Sequence, residues 1–305
     1  MRVIVVGLGV QGTKRRIHAG PDCVASVDPV NPLADFRDLA EIPVHDYDAV
    51  LACVPDGLKF SIIRYCLSNG KHVLVEKPLW TVQDGQITEL ESLARENSAV
   101  CYTAYNHRFE PHFIRMHDLI VSGALGRIYS CRMFYGNGTA RLVRDSLWRD
   151  EGAGVLTDLG SHLLDTCSFW FGTDLSSFDL VSAHRFENRA FDHVVISSEK
   201  IGPRIELEMT LCMWRNHFTC DVLAENGTAH IESLCKWGPS TFIHRIRMFP
   251  SGRPSEQHIQ LVQSDPTWAQ EYVHFNNLAL GKVPTDLSQD MALQSNLRRL
   301  SAQVI

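Results

Sequence analysis

Three clusters in this 305-residue chain hold residues whose chemistry depends on their spacing. The first is Gly7-Leu8-Gly9-Val10-Gln11-Gly12, a G-x-G-x-x-G run directly after the β-branched stretch RVIVV (2–6). Glycines so placed permit a tight turn, close approach of the backbone to a pyrophosphate, and close helix-to-strand packing. A helix opening at Val10 and Gln11 would aim the positive end of its dipole at that phosphate. Asp28 ends the next apolar run, CVASVD (23–28), where a carboxylate can accept hydrogen bonds from both ribose hydroxyls of an adenosine. The same carboxylate repels a 2′-phosphate, so NAD is expected over NADP. Lys14, Arg15 and Arg16 lie on the first helix, where a solvated face is the expected reading, although one of them could reach a phosphate and blur that preference.

The second cluster, Glu76-Lys77-Pro78, follows HVLV at the carboxyl end of an expected strand. A lysine there could donate to a substrate hydroxyl and support alkoxide character as hydride leaves the carbon. The third runs from Gly152 to Asp165. If it is helical from Val155, Asp158 and His162 stand one turn apart on one face with Asp165 a step further along. A carboxylate beside an imidazole can orient it, which makes His162 a candidate general base. Each signal has a plainer reading alone: a strand-end lysine is solvated, and a helical Asp/His pair is a local ion pair. Upstream, Arg141, Arg144 and Arg149 fall in a loop with Trp148, a set that could grip phosphate and cover a sugar face. Arg144-Asp145 and Arg149-Asp150 could instead neutralise themselves.

Short apolar runs at 2–6, 23–28, 49–54, 72–76 and 99–105, separated by helix candidates at 57–69 and 81–97, predict a parallel, doubly wound sheet. After Phe109 the rhythm changes to longer alternating segments, with Asn226-Gly227 as a hairpin signal, and predicts an α/β domain on a large, open, mostly antiparallel sheet. The domains read as 1–108 and 109–305, with the last helix able to pack back on the first. An uncovered sheet face suggests a homodimer or homotetramer.

A net charge of −6 argues against a global pull on nucleic acid or an anionic membrane. Nine cysteines without C-x-x-C spacing read as reduced thiols and offer no metal site. The chain runs from Met1 straight into a β pattern and holds no long apolar run, so no signal peptide or membrane span is expected, and cytoplasm is the expected compartment.

Taken in order, GLGVQG (7–12), VPDGLKFSIIRYCLSNGKHVLVEKPL (54–79), YNHRFEP (105–111) and WRDEGAGVLTDLGSHLLD (148–165) resemble the glucose-fructose oxidoreductase, inositol dehydrogenase and rhizopine-catabolism (Gfo/Idh/MocA) oxidoreductases. The resemblance implies an N-terminal Rossmann domain, a second α/β domain, and hydride transfer between nicotinamide and a carbon bearing a hydroxyl. It implies Lys77, Asp158 and His162 as the catalytic set, with Lys77 and His162 able to exchange roles. It places Pro55 and Glu76 beside the cofactor and Asn106 and Arg108 beside the substrate. Many relatives carry a histidine a few places after the proline equivalent to Pro55, where this chain reads Asp56-Gly57-Leu58-Lys59. Because Arg141 and Arg144 look like additions to the family loop, a nucleotide-linked sugar is favoured over a free sugar or inositol. A regulator that senses NAD and a sugar, or a reductase of an imine or enone, stays open as an alternative.

Overall fold

The computed structural model describes residues 1–146, 149–199 and 202–303. The chain divides into two units, Met1–Asn106 with Thr267–Gln294, and His107–Pro266 with Ser295–Ile305. The first unit thus includes Thr267–Gln294, part of the carboxy-terminal segment whose packing the sequence leaves open.

In the first unit β1 (Val3–Val6), α1 (Val10–Ala19), β2 (Cys23–Val27), β3 (Ala49–Ala52), α2 (Asp56–Ser68), β4 (His72–Glu76), α3 (Gln86–Glu96) and β5 (Cys101–Ala104) alternate along the chain. The five strands form one parallel sheet in the order β2-β1-β3-β4-β5, the doubly wound arrangement expected. Its strands are apolar on both sides because both faces are covered. Ile4 and Val6 pack with Ile63, Leu67 and Leu90, whereas Val3 and Val5 pack with Ala19, Tyr272 and Phe275. Period-two alternation therefore feeds two cores, and each fully buried aliphatic side chain contributes roughly 1.5–3 kcal/mol. The strand order reverses between β1 and β3, and ligands of such sheets bind at the carboxyl ends on either side of that switch. One expected element moves: α3 opens at Gln86 after Gly85 at φ +82°, not at Thr81, whose carbonyl accepts from Gln294 Nε2 at 2.9 Å.

The second unit holds α4 (Pro111–Val121), β6 (Ile128–Gly136), α5 (Ala140–Arg144), α6 (Ser161–Phe171) and β7 to β13 (Phe178–His184, His193–Ser198, Arg204–Thr210, His217–Ala224, Gly227–Glu232, Ser240–Ile246 and Ser255–Leu261). These make one eight-stranded sheet, β13-β12-β11-β10-β6-β9-β8-β7, antiparallel except for the β6/β9 pair. Cys131, Met133, Tyr135, Phe218 and Cys220 are buried on one face. The other face carries polar pairs such as Arg132 with Glu206 and His230 with Asp221. The expected hairpin forms with Glu225 and Asn226 as its turn, one residue earlier than the Asn-Gly signal suggests, because Ala224 pairs with Gly227. Gly227 is needed there at φ +155°, since a Cβ would lie 2.0 Å from the Arg245 carbonyl oxygen.

Two helices follow, α7 (Thr267–Leu280) and α8 (Ser288–Ala302). Among the described residues no helix is long and apolar enough to cross a membrane.

Candidate active site

The glycine loop sits at the switch point. Gly7 takes φ +89°, where a Cβ would meet the Cys53 carbonyl oxygen at 2.3 Å, and a Cβ on Gly12 would lie 1.7 Å from the Gly7 oxygen. Over Gly9, by contrast, a Cβ would meet nothing within 4 Å, and no side chain caps the first turn of α1 with its Val10 and Gln11. Two glycines therefore close the turn, and the third leaves open space beside an uncapped helix start. That is the shape a dinucleotide pyrophosphate requires, so the residues present fit NAD.

Asp28 braces the same loop. One carboxylate oxygen accepts from Leu8 N at 2.7 Å and the other from Val30 N and Asn31 N at 2.9 and 2.8 Å. Burial works against the ionised form, but these backbone donors outweigh it and hold the carboxyl below its ordinary value. The negative charge expected at this position is in place.

Arg15 corrects the expectation of a solvated basic face. It is 1% exposed, with Nε 2.8 Å from Glu76 Oε1, Nη1 2.6 Å from Glu271 Oε2, and its guanidinium 4.3 Å from the Trp268 ring centre. Burial opposes its charge, yet Glu76 and Glu271 push it further above the ordinary arginine value. Glu76, expected at the cofactor, thus anchors α1 to the end of β4. Lys14 lies 5.1 Å from the same Trp268 ring.

Lys77 leaves the carboxyl end of β4 half-buried, and the Lys77–Pro78 bond is cis. Pro55 opens α2 as its N-cap residue. Lys59 is 2% exposed and donates from Nζ to the Pro78 oxygen at 2.6 Å, with Asp56 Oδ1 at 2.7 Å. Burial lowers its pKa despite Asp56. Lys59 ties the start of α2 to the turn that carries Lys77, a role the sequence comparison flagged only as a departure. Asn106 is buried, and its Nδ2 donates to Thr267 Oγ1 at 2.8 Å.

In the second unit the Gly152–Asp165 segment starts as a π-helix, Leu156–Gly160, and continues as α6. The expected α-helix from Val155 is thus widened by one turn, a form frequently found at functional sites. Gly154 at φ +51° lies against Phe191, whose carbonyl oxygen a Cβ would approach to 2.2 Å, and Gly160 passes so close to β9 that a Cβ would lie 2.8 Å from Met209 Sδ. Asp158 Oδ2 lies 3.8 Å from Arg149 Nη2. His162 is buried, and its ring stacks on that of His107 with centroids 4.0 Å apart and planes at 19°. Arg108 clamps Asp165 through Nε at 3.0 Å and Nη2 at 2.5 Å, which fixes α6 one turn beyond His162.

Arg141 and Arg144 stand on the short helix α5 where a loop was expected, both exposed, one turn apart. Among the described residues no carboxylate pairs with either. Asp150 does not neutralise Arg149: it is buried and accepts from Arg189 N and Ala190 N at 2.8 and 2.9 Å. Trp148 lies outside the described residues. Sequence reasoning missed His107, Tyr135 and Lys236. Lys236 Nζ is 3.3 Å from His107 Nε2 and 3.4 Å from the Tyr135 hydroxyl. His107 was in view between Asn106 and Arg108, but nothing in the sequence around Lys236 points to it.

Comparison with known proteins agrees with this geometry. Residues 1–105 match the model of an oxidoreductase family with an NAD-binding Rossmann fold, and residues 113–230 match the GFO/IDH/MocA C-terminal domain. The chain belongs to the Gfo/Idh/MocA oxidoreductases and carries their NAD-binding domain. An uncharacterized oxidoreductase of Schizosaccharomyces pombe is 33% identical over 129 residues, covering 41% of this chain and 34% of that protein. A scyllo-inositol 2-dehydrogenase (NADP(+)) of Bacillus subtilis is 28% identical over 150 residues, 48% of this chain and 41% of its own length. These matches span between a third and a half of the curated relatives. The structure of a levoglucosan dehydrogenase in complex with NADH and L-sorbose shares the fold, with a TM-score of 0.81 at 17% identity over 99% of this chain and 97% of that one.

Proposed function

We propose that this protein is an NAD-dependent dehydrogenase that moves hydride between nicotinamide and a ring hydroxyl or keto carbon of a sugar, and that the sugar is nucleotide-linked, as in surface-glycan biosynthesis. The bound nicotinamide supplies the hydride acceptor. His162 takes the hydroxyl proton, since an imidazole can accept and return a proton near neutral pH, and the Lys77 ammonium donates to the same oxygen as negative charge develops on it. Asp158 orients and charges this set together with Arg149, Arg108 holds through Asp165 the helix that carries His162, and Asn106 stands beside the substrate. The depressed Asp28 carboxyl favours NAD over NADP, although the Bacillus subtilis relative is named for NADP(+). Nine free thiols suit a reducing cytoplasm, and the open face of the large sheet suits a homodimer or homotetramer.

The observation that carries the nucleotide-sugar reading is the pair of exposed guanidinium groups on α5, with which, among the described residues, no carboxylate forms an ion pair. Free sugar or inositol is the second reading, favoured by the names of the inositol and levoglucosan dehydrogenases among the relatives. Nicotinamide reduction with UDP-hexoses, UDP-N-acetylhexosamines, free hexoses and inositols separates them. Turnover is expected on the nucleotide sugars, with R141A and R144A each raising KM about tenfold, the equivalent of ~1.4 kcal/mol. Turnover on free sugars with no effect of either variant overturns the nucleotide reading.

A further inference from the structure

His162 does not stand alone in its unit. Its ring lies flat on His107, whose opposite contacts are Phe113, 5.7 Å away edge-on, and Tyr135 at 5.5 Å. Tyr135 also approaches His162 itself, at 6.2 Å between ring centres. Into this aromatic group Lys236 projects its ammonium, 3.3 Å from His107 Nε2 and 3.4 Å from the Tyr135 oxygen, with the Trp237 ring 4.8 Å away. An ammonium has three donors and no acceptor. The ring nitrogen it faces must therefore hold a lone pair, which leaves the proton of His107 on Nδ1. A second proton on that ring would set an N–H against an ammonium.

We infer that Lys236 is a positioning residue of the proposed reaction: by fixing His107 as the neutral Nδ1–H tautomer, it confines proton uptake in the stacked imidazole pair to His162. This rests on the assignment of His162 as proton acceptor. Two stacked imidazoles without Lys236 would share one proton, and the base would be occupied over part of the pH range where it must be empty. Around Lys236 stand Glu110 from the start of α4, Cys235, Asp265 and Asp158, and near Asp158 and His162 lie Arg149 and the Arg108–Asp165 clamp on α6. Burial lowers the Lys236 pKa, while Asp265 and Glu110 act to keep it charged. Glu110 is itself occupied, accepting from Cys235 N at 3.2 Å and from Cys235 Sγ at 2.9 Å. The segment that delivers Lys236 is thereby pinned to the helix that follows His107.

The test is imidazole nitrogen NMR on the full chain without substrate, for wild type, K236M and K236R, alongside kcat/KM against pH for any sugar alcohol the enzyme oxidises. In wild type His107 shows the Nδ1–H tautomer from pH 6 to 8 and one ring of the pair titrates. In K236M both rings take part and the first protonation moves up by about 1 pH unit, because a neighbouring cation no longer opposes imidazolium. The acidic limb of kcat/KM moves up with it, since the base must be neutral to accept a proton. K236R retains the wild-type tautomer and limb. An Nε2–H tautomer of His107 in wild type, or an unchanged titration in a folded K236M, overturns the inference. Absence of oxidation by every variant, with the tautomer as described, counts against the proposed reaction and leaves the Lys236–His107 relation standing.

Discussion

The carboxyl edge of the five-stranded sheet and the aromatic group around His162 build their chemistry in opposite ways. At the sheet edge each candidate residue comes within a few positions of a strand end: Gly7 to Gly12 after β1, Asp28 after β2, Pro55 after β3, Lys77 after β4. Around His162 the contacts come from His107, Tyr135 and Lys236, which lie on three separate segments spread over more than a hundred residues. A parallel sheet delivers its loops to one edge by topology, so motif and position coincide. An antiparallel sheet backed by helices assembles its polar cluster from tertiary packing, and single positions carry no local signature.

The sharpest test of this contrast removes one group from each region. K77M and H162A are each expected to lower turnover about 10³-fold, within the range of a lost proton-transfer or charge-stabilising group, while NADH affinity stays within about threefold. Steady-state kinetics and NADH fluorescence titration check it. Near-normal turnover in H162A would end the acid–base assignment, and lost NADH binding in H162A but not K77M would dissolve the division of labour between the two regions.

A second difference concerns charge. In the first unit Arg15 sits between Glu76 and Glu271 with almost no solvent contact, so R15M leaves the buried Glu271 and the partly buried Glu76 without their shared cation. Removing one partner of such a network costs about 3–5 kcal/mol, a Tm lower by roughly 10 °C in thermal unfolding. A change within about 0.5 kcal/mol would mean that the helix face behaves as solvated after all.

Arg15 also marks where sequence reading runs out. Periodicity, glycine spacing and strand-end placement made the sheet, its order of elements, Gly7 to Gly12, Asp28 and the helix bearing His162 legible. They could not show that Arg15 faces Glu271, because the partner is 256 positions away and arrives with the returning helix α7. For the same reason Lys236 was invisible and Lys59 registered only as an unusual residue. The π-turn before α6 was read as ordinary helix because its hydrophobic spacing fits either form, and close packing of Gly160 on Met209 accompanies the wider turn.

The smallest expected effect tests how the segment around Arg149 and Asp150 in the second unit is held. Asp150 is buried beside Arg149, and burial works against its charge. The N–H groups of Ala190 and Arg189, with the Arg189 side chain, outweigh that cost and hold the carboxyl below its ordinary value. A carboxyl depressed in the folded state stabilises the fold fully above its unfolded pKa of about 3.9 and loses that contribution as pH falls through the folded value. D150N is therefore expected to cost about 1–2 kcal/mol at pH 7, the worth of a charge-assisted pair to buried N–H groups, and less below pH 4. Urea unfolding at both pH values measures it. A difference that persists unchanged in acid would show that shape, not charge, holds the loop, and Arg149 would then owe its place near Asp158 to packing alone.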